Sequence, residues 1–218
     1  MRHLPRQGGR RRLSATREVG TPAGPARLHL DGDPGGRLLL LGHGAGGGVE
    51  SVDLLAARAA ALGLGWCVVR MEQPYRVAGR RAPAPAAQLD AAFLAVCAAL
   101  PTATLVTGGR SSGGRVACRT ATAAGAAAVV ALAFPLVPPT GSGASRDAEL
   151  RQPSVPRLVV QGSRDAFGVP VAGPGVRVAL VPGGDHAFRV RRVDRPDGVA
   201  GVRADIERAV AAFLQTVT

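Results

Sequence analysis

Short apolar runs alternate with stretches of helical periodicity along nearly the whole chain, and this alternation restricts the fold more than any other feature. Residues 37–41, 66–69, 103–106, 128–134, 157–161 and 176–181 are runs with apolar interiors. A strand that is apolar on both faces must be covered on both faces, as in parallel sheets whose crossovers are helices. Between the runs, Val52, Leu55, Ala59 and Leu62 recur at helical spacing, as do Leu89, Phe93, Val96 and Leu100. A further helix is predicted over 116–124, ending near Gly125. A last one places Val202, Ile206, Val210, Phe213 and Leu214 on one side and Arg203, Asp205, Glu207 and Arg208 largely on the other. The implied fold is α/β: one domain over 18–218 with a mostly parallel central sheet and helices on both faces. Residues 27–31 read as an early strand that pairs with 15–19, and the Pro-rich, aperiodic segment 136–156 as a rim or minimal lid.

Composition narrows the function classes. With 218 residues and 46% hydrophobic content the chain can bury one sizeable core, but aromatics are only 3%, so Leu, Val and Ala must fill it. Few aromatics also argue against stacking on nucleic-acid bases. The net charge of +12 is carried by arginine alone, without a single lysine. Arg2, Arg6, Arg10, Arg11, Arg12 and Arg17 lie in an acid-free start, residues 1–17, which reads as a disordered, solvated basic tail and is the one hint of an anionic partner. Arg10 to Arg12 are followed by no apolar signal-peptide region, and no run is long enough to span a membrane, so a soluble cytoplasmic protein is expected. Cys67, Cys97 and Cys118 are widely separated and read as reduced thiols. Neither metal-ligand spacing nor a phosphate- or dinucleotide-binding fingerprint is present, so no metal or cofactor is expected.

The chemistry-bearing pattern begins at Gly109-Arg110-Ser111-Ser112-Gly113, which follows the 103–106 run and precedes a small-residue helix start. A serine on such a strand-turn-helix elbow has its hydroxyl pushed out over the sheet edge. The hydroxyl is a poor nucleophile unless a base takes its proton and a third group orients that base. Asp165, after 157–161, and His186, after 176–181, follow in the order this arrangement requires, so parallel strands deliver all three to one sheet edge. Asp185 is the rival acid, but side chains adjacent along an extended segment diverge. An ordinary N-cap serine is the structural alternative for Ser111. The loop Gly42-His43-Gly44-Ala45-Gly46-Gly47 ends the 37–41 run; with Ser112 N–H, the Ala45 N–H is the expected pair of oxyanion donors. His43, Tyr75, Arg80, Arg81 and Arg110 are candidate substrate contacts, the arginines suiting a carboxylate or phosphate.

These residues resemble the α/β-hydrolase superfamily, with Ser111, Asp165 and His186 at its nucleophile, acid and base positions. The stretches Gly42 to Gly46, Glu72-Gln73-Pro74-Tyr75 with Gly79-Arg80-Arg81-Ala82-Pro83, Phe134-Pro135-Leu136 with Pro138-Pro139, and Val160 to Asp165 with Phe167-Gly168 are similar to one branch in particular. It comprises small bacterial hydrolases related to the hydrolase-like domain of the NSL chromatin-complex subunit 3, near the dienelactone hydrolases. Those last enzymes use cysteine where this chain has Ser111. The resemblance implies a serine hydrolase acting on a small acyl substrate, an ester or thioester, as a monomer or homodimer without cofactor. A serine peptidase, or a non-catalytic interaction scaffold like the branch's animal complex subunits, are the alternatives.

Overall fold

Side-chain alternation along the strands gives each face of the sheet its own set of helices. The computed structural model describes residues 14–33, 35–138 and 143–217. Its elements are β1 (Ser14–Thr21), β2 (Gly24–Asp31), β3 (Arg37–Gly42), α1 (Val52–Gly63), β4 (Cys67–Glu72), α2 (Pro74–Val77), α3 (Ala86–Ala98), β5 (Thr104–Arg110), α4 (Ser112–Thr120), β6 (Ala128–Leu132), α5 (Asp147–Arg151), β7 (Arg157–Gly162), β8 (Val176–Val181) and α6 (Gly198–Leu214). The eight strands form one sheet in the order β1-β2-β4-β3-β5-β6-β7-β8. From β4 to β8 all neighbours are parallel, whereas the β1–β2 hairpin adds antiparallel to the β4 edge. The chain runs from β3 outward to β4, then crosses to β5 on the other side of β3, so the strand order reverses between β3 and β5. Ligands of open α/β sheets bind beyond the carboxyl ends of the strands at such a reversal.

Leu39, Leu41, Val68, Val106, Val130, Leu132 and Val160 point to the face covered by α1 and α6, where Trp66 and Phe213 are also buried. Their neighbours Leu38, Leu40, Val69 and Leu105 point to the α3 side, against Phe93 and Val96. Val129, Ala131 and Val159 meet α4 and Leu150 of α5 on that same face. This two-sided burial is why the strands read as unbroken apolar runs. The early hairpin is present, with Ala15 opposite Leu30 and Val19 opposite Ala26.

Three expectations need correction. The apolar stripe expected on α1 is not its buried face: Leu54, Ala56, Ala57, Ala60 and Ala61 are buried, whereas Leu55 and Ala59 are half-exposed. The helix is apolar nearly all round, so the larger residues mark no face, and the alanine side is the one that permits close packing. Helix α4 starts at Ser112, four residues before the expected start, because its glycines are there for contact and not to end a helix. Strand β1 begins at Ser14, so Arg17 belongs to the sheet and not to a tail; the rest of the expected tail, 1–13, lies outside the described residues, as do 139–142 of the rim segment. That segment carries α5, whose Glu149 accepts from Arg115 and Arg119 of α4, while Arg119 also binds Asp90 of α3. Among the described residues no helix is long and apolar enough to cross a membrane.

Helix α4 lies so close to β3 that a β-carbon on Gly113 would run into the carbonyls of Gly42 and His43. Gly113→Ala is therefore expected to lower stability by about 3 kcal/mol, read from the urea midpoint at constant slope. A loss within about 0.5 kcal/mol, the range of an ordinary surface change, would mean that the helix can back away freely.

Candidate active site

Parallel strands bring the ends of β3, β5, β7 and β8 to one edge. There Ser111 joins β5 to α4 with φ 50° and ψ −112°, a backbone conformation that costs a non-glycine residue about 1–3 kcal/mol. Its surroundings hold it there. Ser111 N–H donates to the Leu132 carbonyl at 2.8 Å, and its own carbonyl accepts from Arg115 N–H at 3.1 Å. A β-carbon at residue 109 would lie 2.5 Å from the Gly42 oxygen, so glycine is required on both sides of the turn.

His186 Nε2 lies 3.0 Å from Ser111 Oγ, and Nδ1 lies 2.9 Å from Asp165 Oδ2. An ionised carboxylate only accepts, so Nδ1 carries the hydrogen and Nε2 is left to accept from the serine hydroxyl. The loops bearing Asp165 and His186 touch backbone to backbone: Arg164 N–H donates to the Gly184 carbonyl at 2.9 Å, and a side chain at Gly162 would overlap Gly184 and Asp185. Asp165 is buried, and its remaining acceptor capacity is used by Phe167 N–H at 2.8 Å and Gln161 Nε2 at 2.7 Å. Gln161 also donates to the carbonyls of Phe134 and Gly168. The Phe167 ring lies against the imidazole, with centroids 4.0 Å apart. Asp185, the rival acid, instead accepts from the N–H groups of Ala187 and Arg189 and shapes its own loop.

Of the remaining residues singled out from sequence, His43 faces inward. It is 3% exposed; its Nδ1–H donates to the Gly44 carbonyl at 2.8 Å and its Nε2 accepts from Gln73 N–H at 3.1 Å. Both ring nitrogens are thus spent on holding the 43–48 loop, which corrects its reading as a substrate contact. Tyr75 donates to the Ala45 carbonyl at 3.0 Å and steadies the same loop. Gly44 is the point of closest approach, since a β-carbon there would sit 3.5 Å from that of Ser111. Ser112 occupies the first turn of α4, where backbone N–H groups have no helical acceptor.

Arg110 also departs from expectation, because it is not free to take a substrate anion. Its Nε lies 3.2 Å from Asp53 Oδ2 in the first turn of α1, and its Nη2 donates to the His186 carbonyl at 3.1 Å. A β-carbon at Gly44 would be 3.1 Å from its Nη1. One planar guanidinium therefore ties the His186 loop to α1 and lies against Gly44. Asp53 is fully buried; desolvation pushes its pKa up, and the Arg110 charge opposes that rise. Nothing in the sequence marked Asp53. Gln161 had a signal, a lone amide closing an otherwise apolar strand. Arg80 and Arg81 are exposed on the loop after α2 and, with Tyr75, line a cavity. Burial pushes the thiols of Cys67, Cys97 and Cys118 up to about 11, about 12 and about 12, so none is a ready nucleophile. Among the described residues no cluster of His, Cys, Asp and Glu could hold a metal ion.

Asp53→Asn is expected to destabilise the protein by about 3 kcal/mol, since it leaves the largely buried Arg110 charge unpaired; a loss near zero in urea denaturation would show that the pair contributes nothing. Burial holds the His43 pKa below 6.5, the neighbouring Gly44 carbonyl only partly offsetting this. The unfolded chain thus takes up a proton below about pH 6.5 that the folded one refuses. The contribution is whole above that pH and is lost as the pH falls below it. Wild type should lose more stability than His43→Gln between about pH 7 and about pH 5, and equal losses would refute the assignment.

The architecture has known counterparts. An α/β serine hydrolase homologue from Coxiella burnetii matches at 18% identity with a TM-score of 0.68, over 92% of this chain and 97% of that one. An α/β serine hydrolase without a lid from Xanthomonas campestris matches at 21% identity and 0.66, over 92% and 94%. A dienelactone hydrolase from Anabaena variabilis matches at 14% and 0.68, over 96% and 100%. At these identities the likeness is one of fold. A search of curated proteins finds no match. The family model described as an alpha/beta hydrolase domain matches residues 35–215, nearly the whole described chain, and the protein belongs to this α/β-hydrolase family.

Proposed function

We propose that the protein is a serine hydrolase that cleaves carboxylic esters, or thioesters, of a small substrate through an acyl-Ser111 intermediate. The observation that carries this reading is the continuous hydrogen-bonded line from Asp165 through His186 to Ser111 Oγ, with the imidazole tautomer set by a buried carboxylate. His186 takes the Ser111 proton as Oγ attacks the carbonyl carbon; Asp165 stays ionised and offsets the imidazolium charge. The amides of Ala45 and Ser112 are the proposed donors to the resulting oxyanion. His186 then gives its proton to the leaving oxygen or sulfur, and water repeats the sequence to release the acid and restore Ser111. One matched neighbour is described as lacking a lid, and here the described part of the rim segment carries the short α5, in keeping with a small substrate reaching an open edge. A pure scaffold would have no physical need for a strained serine within reach of an oriented imidazole. Peptide bonds share the mechanism, and a peptidase remains the second reading for the bond cleaved.

A fluorophosphonate should label wild type at one site, and neither Ser111→Ala nor His186→Ala; unlabelled wild type would favour the scaffold. Asp165→Asn, which permits the wrong tautomer, should lower ester turnover on the order of 10⁴-fold. Arg110→Met should reduce kcat about 10- to 100-fold with KM little changed, because it loosens the loop of the base and not a substrate contact. A rise in KM at unchanged kcat would instead return Arg110 to substrate binding.

A further inference from the structure

The chain is rich in arginine, yet across most of the fold its arginines are engaged. Arg27, Arg58, Arg70, Arg110, Arg115, Arg119, Arg151, Arg164, Arg191, Arg195, Arg203 and Arg208 each lie within ion-pair distance of a carboxylate. Arg146 and Arg157 donate to backbone carbonyls, and Arg37 and Arg177 lie over aromatic rings. The guanidiniums of Arg17, Arg189 and Arg192 have no such partner among the described residues, and the excursion that leaves the carboxyl end of β4 gathers three more. Residues 73–89 contain no Asp or Glu, and the guanidinium groups of Arg76, Arg80 and Arg81 have no hydrogen bond or ion pair among the described residues.

That concentration of unneutralised charge borders a built depression. Tyr75, Arg80, Arg81, Pro83, Pro85 and Gln88 are among the walls of a cavity of about 560 Å³, within the range that small ligands occupy. Tyr75, Arg80 and Gln88 also line a smaller one of about 100 Å³ reaching back to Gln73 and Leu89. The depression adjoins the candidate active site by contact. Tyr75 is its shared wall and donates to the Ala45 carbonyl; the Gln73 N–H holds His43; and the charge of Arg76 reaches the His43 imidazole. Only β3 separates β4, from which the excursion departs, from β5, which leads into Ser111.

We infer that the Arg80/Arg81 cavity is a subsite for a terminal oxyanion of the acyl substrate, a carboxylate or a phosphate monoester. This rests on the hydrolase reading above. Two forked, unpaired guanidiniums beside a tyrosine and an amide supply donors in the geometry that a planar or tetrahedral oxyanion accepts.

The test is a ladder of chromogenic mono-esters of α,ω-dicarboxylic acids, a parallel ladder ending in a phosphate monoester, and neutral methyl-capped analogues. Wild type should favour an anionic ester over its neutral analogue by about tenfold in kcat/KM, with a peak at one chain length. The ladder with the higher peak identifies the oxyanion. Arg80→Gln/Arg81→Gln should bring the anionic-to-neutral ratio to about one, whereas Arg80→Lys/Arg81→Lys should keep part of it. In wild type the ratio should also fall with added salt, a readout that needs no variant. A ratio near one at every length in both ladders, no salt dependence, or a ratio that survives the glutamine variant would each overturn the subsite. Fluorophosphonate labelling of wild type is run alongside: its failure would sink the hydrolase reading itself, whereas labelling with no anionic preference would sink only the subsite.

Discussion

The close approach of α4 to the end of β3 is the constraint on which the site depends. Where Gly113 meets the Gly42 and His43 carbonyls, backbone lies on backbone with no side chain between them. That contact sets where α4 begins, and with Gly109 it forces the connection from β5 through a turn tight enough to give Ser111 a positive φ. The strain is local but its support is not: Ser111 N–H is held by Leu132 of β6, and the Gly44 loop of β3 closes over the other side. Relaxing any one of these would let the serine rotate toward an ordinary N-cap, away from His186.

Arginine does what a larger aromatic core would do elsewhere, tying loops to the frame. A guanidinium is always charged and offers five donors in a plane, so one side chain can satisfy carbonyls from several segments at once. Arg157, nearly buried at the start of β7, donates to the carbonyls of Pro153, Val155 and Pro174. Arg146 similarly binds the Pro135 and Val137 carbonyls in the segment after β6. Arg110 applies the same device at the site, where the atoms it restrains are those that must not drift. A lysine in these places would present a single point of charge and leave carbonyls unpaired.

The sheet, its parallel sense and the Ser111, Asp165 and His186 constellation were legible because they depend on patterns a sequence displays: unbroken apolar strands, glycines flanking a serine, and acid and base just past strand ends. The buried face of α1 was not legible, since in a helix of Val, Leu and Ala only the packing partner decides which side turns inward. His43 and Arg110 were misread for a related reason. Their residue types suit a substrate contact, and what assigns them to the scaffold is the arrival of partners distant in sequence, Gln73 for one and Asp53 for the other. Gln161 lay between these cases: its polarity at the end of a buried strand was visible, but the Asp165 contact needed the loop to turn back.

The two halves of the sheet edge are left with different work. Strands β5, β7 and β8 carry Ser111, Asp165 and His186, and their loops are locked by backbone contacts and by Gln161, Phe167 and Arg110, so little there can vary without disturbing the hydrogen bonds that join the three. On the β4 side the excursion through α2 meets the site through the Tyr75 and Gln73 hydrogen bonds to the 43–48 loop, and among the described residues its arginines make no ion pair. Among the described residues the largest run of unpaired guanidiniums, Arg76, Arg80 and Arg81, lies on that side, although Arg17, Arg189 and Arg192 are unpaired as well; there a change of charge disturbs the hydrogen bonds that join Ser111, His186 and Asp165 least.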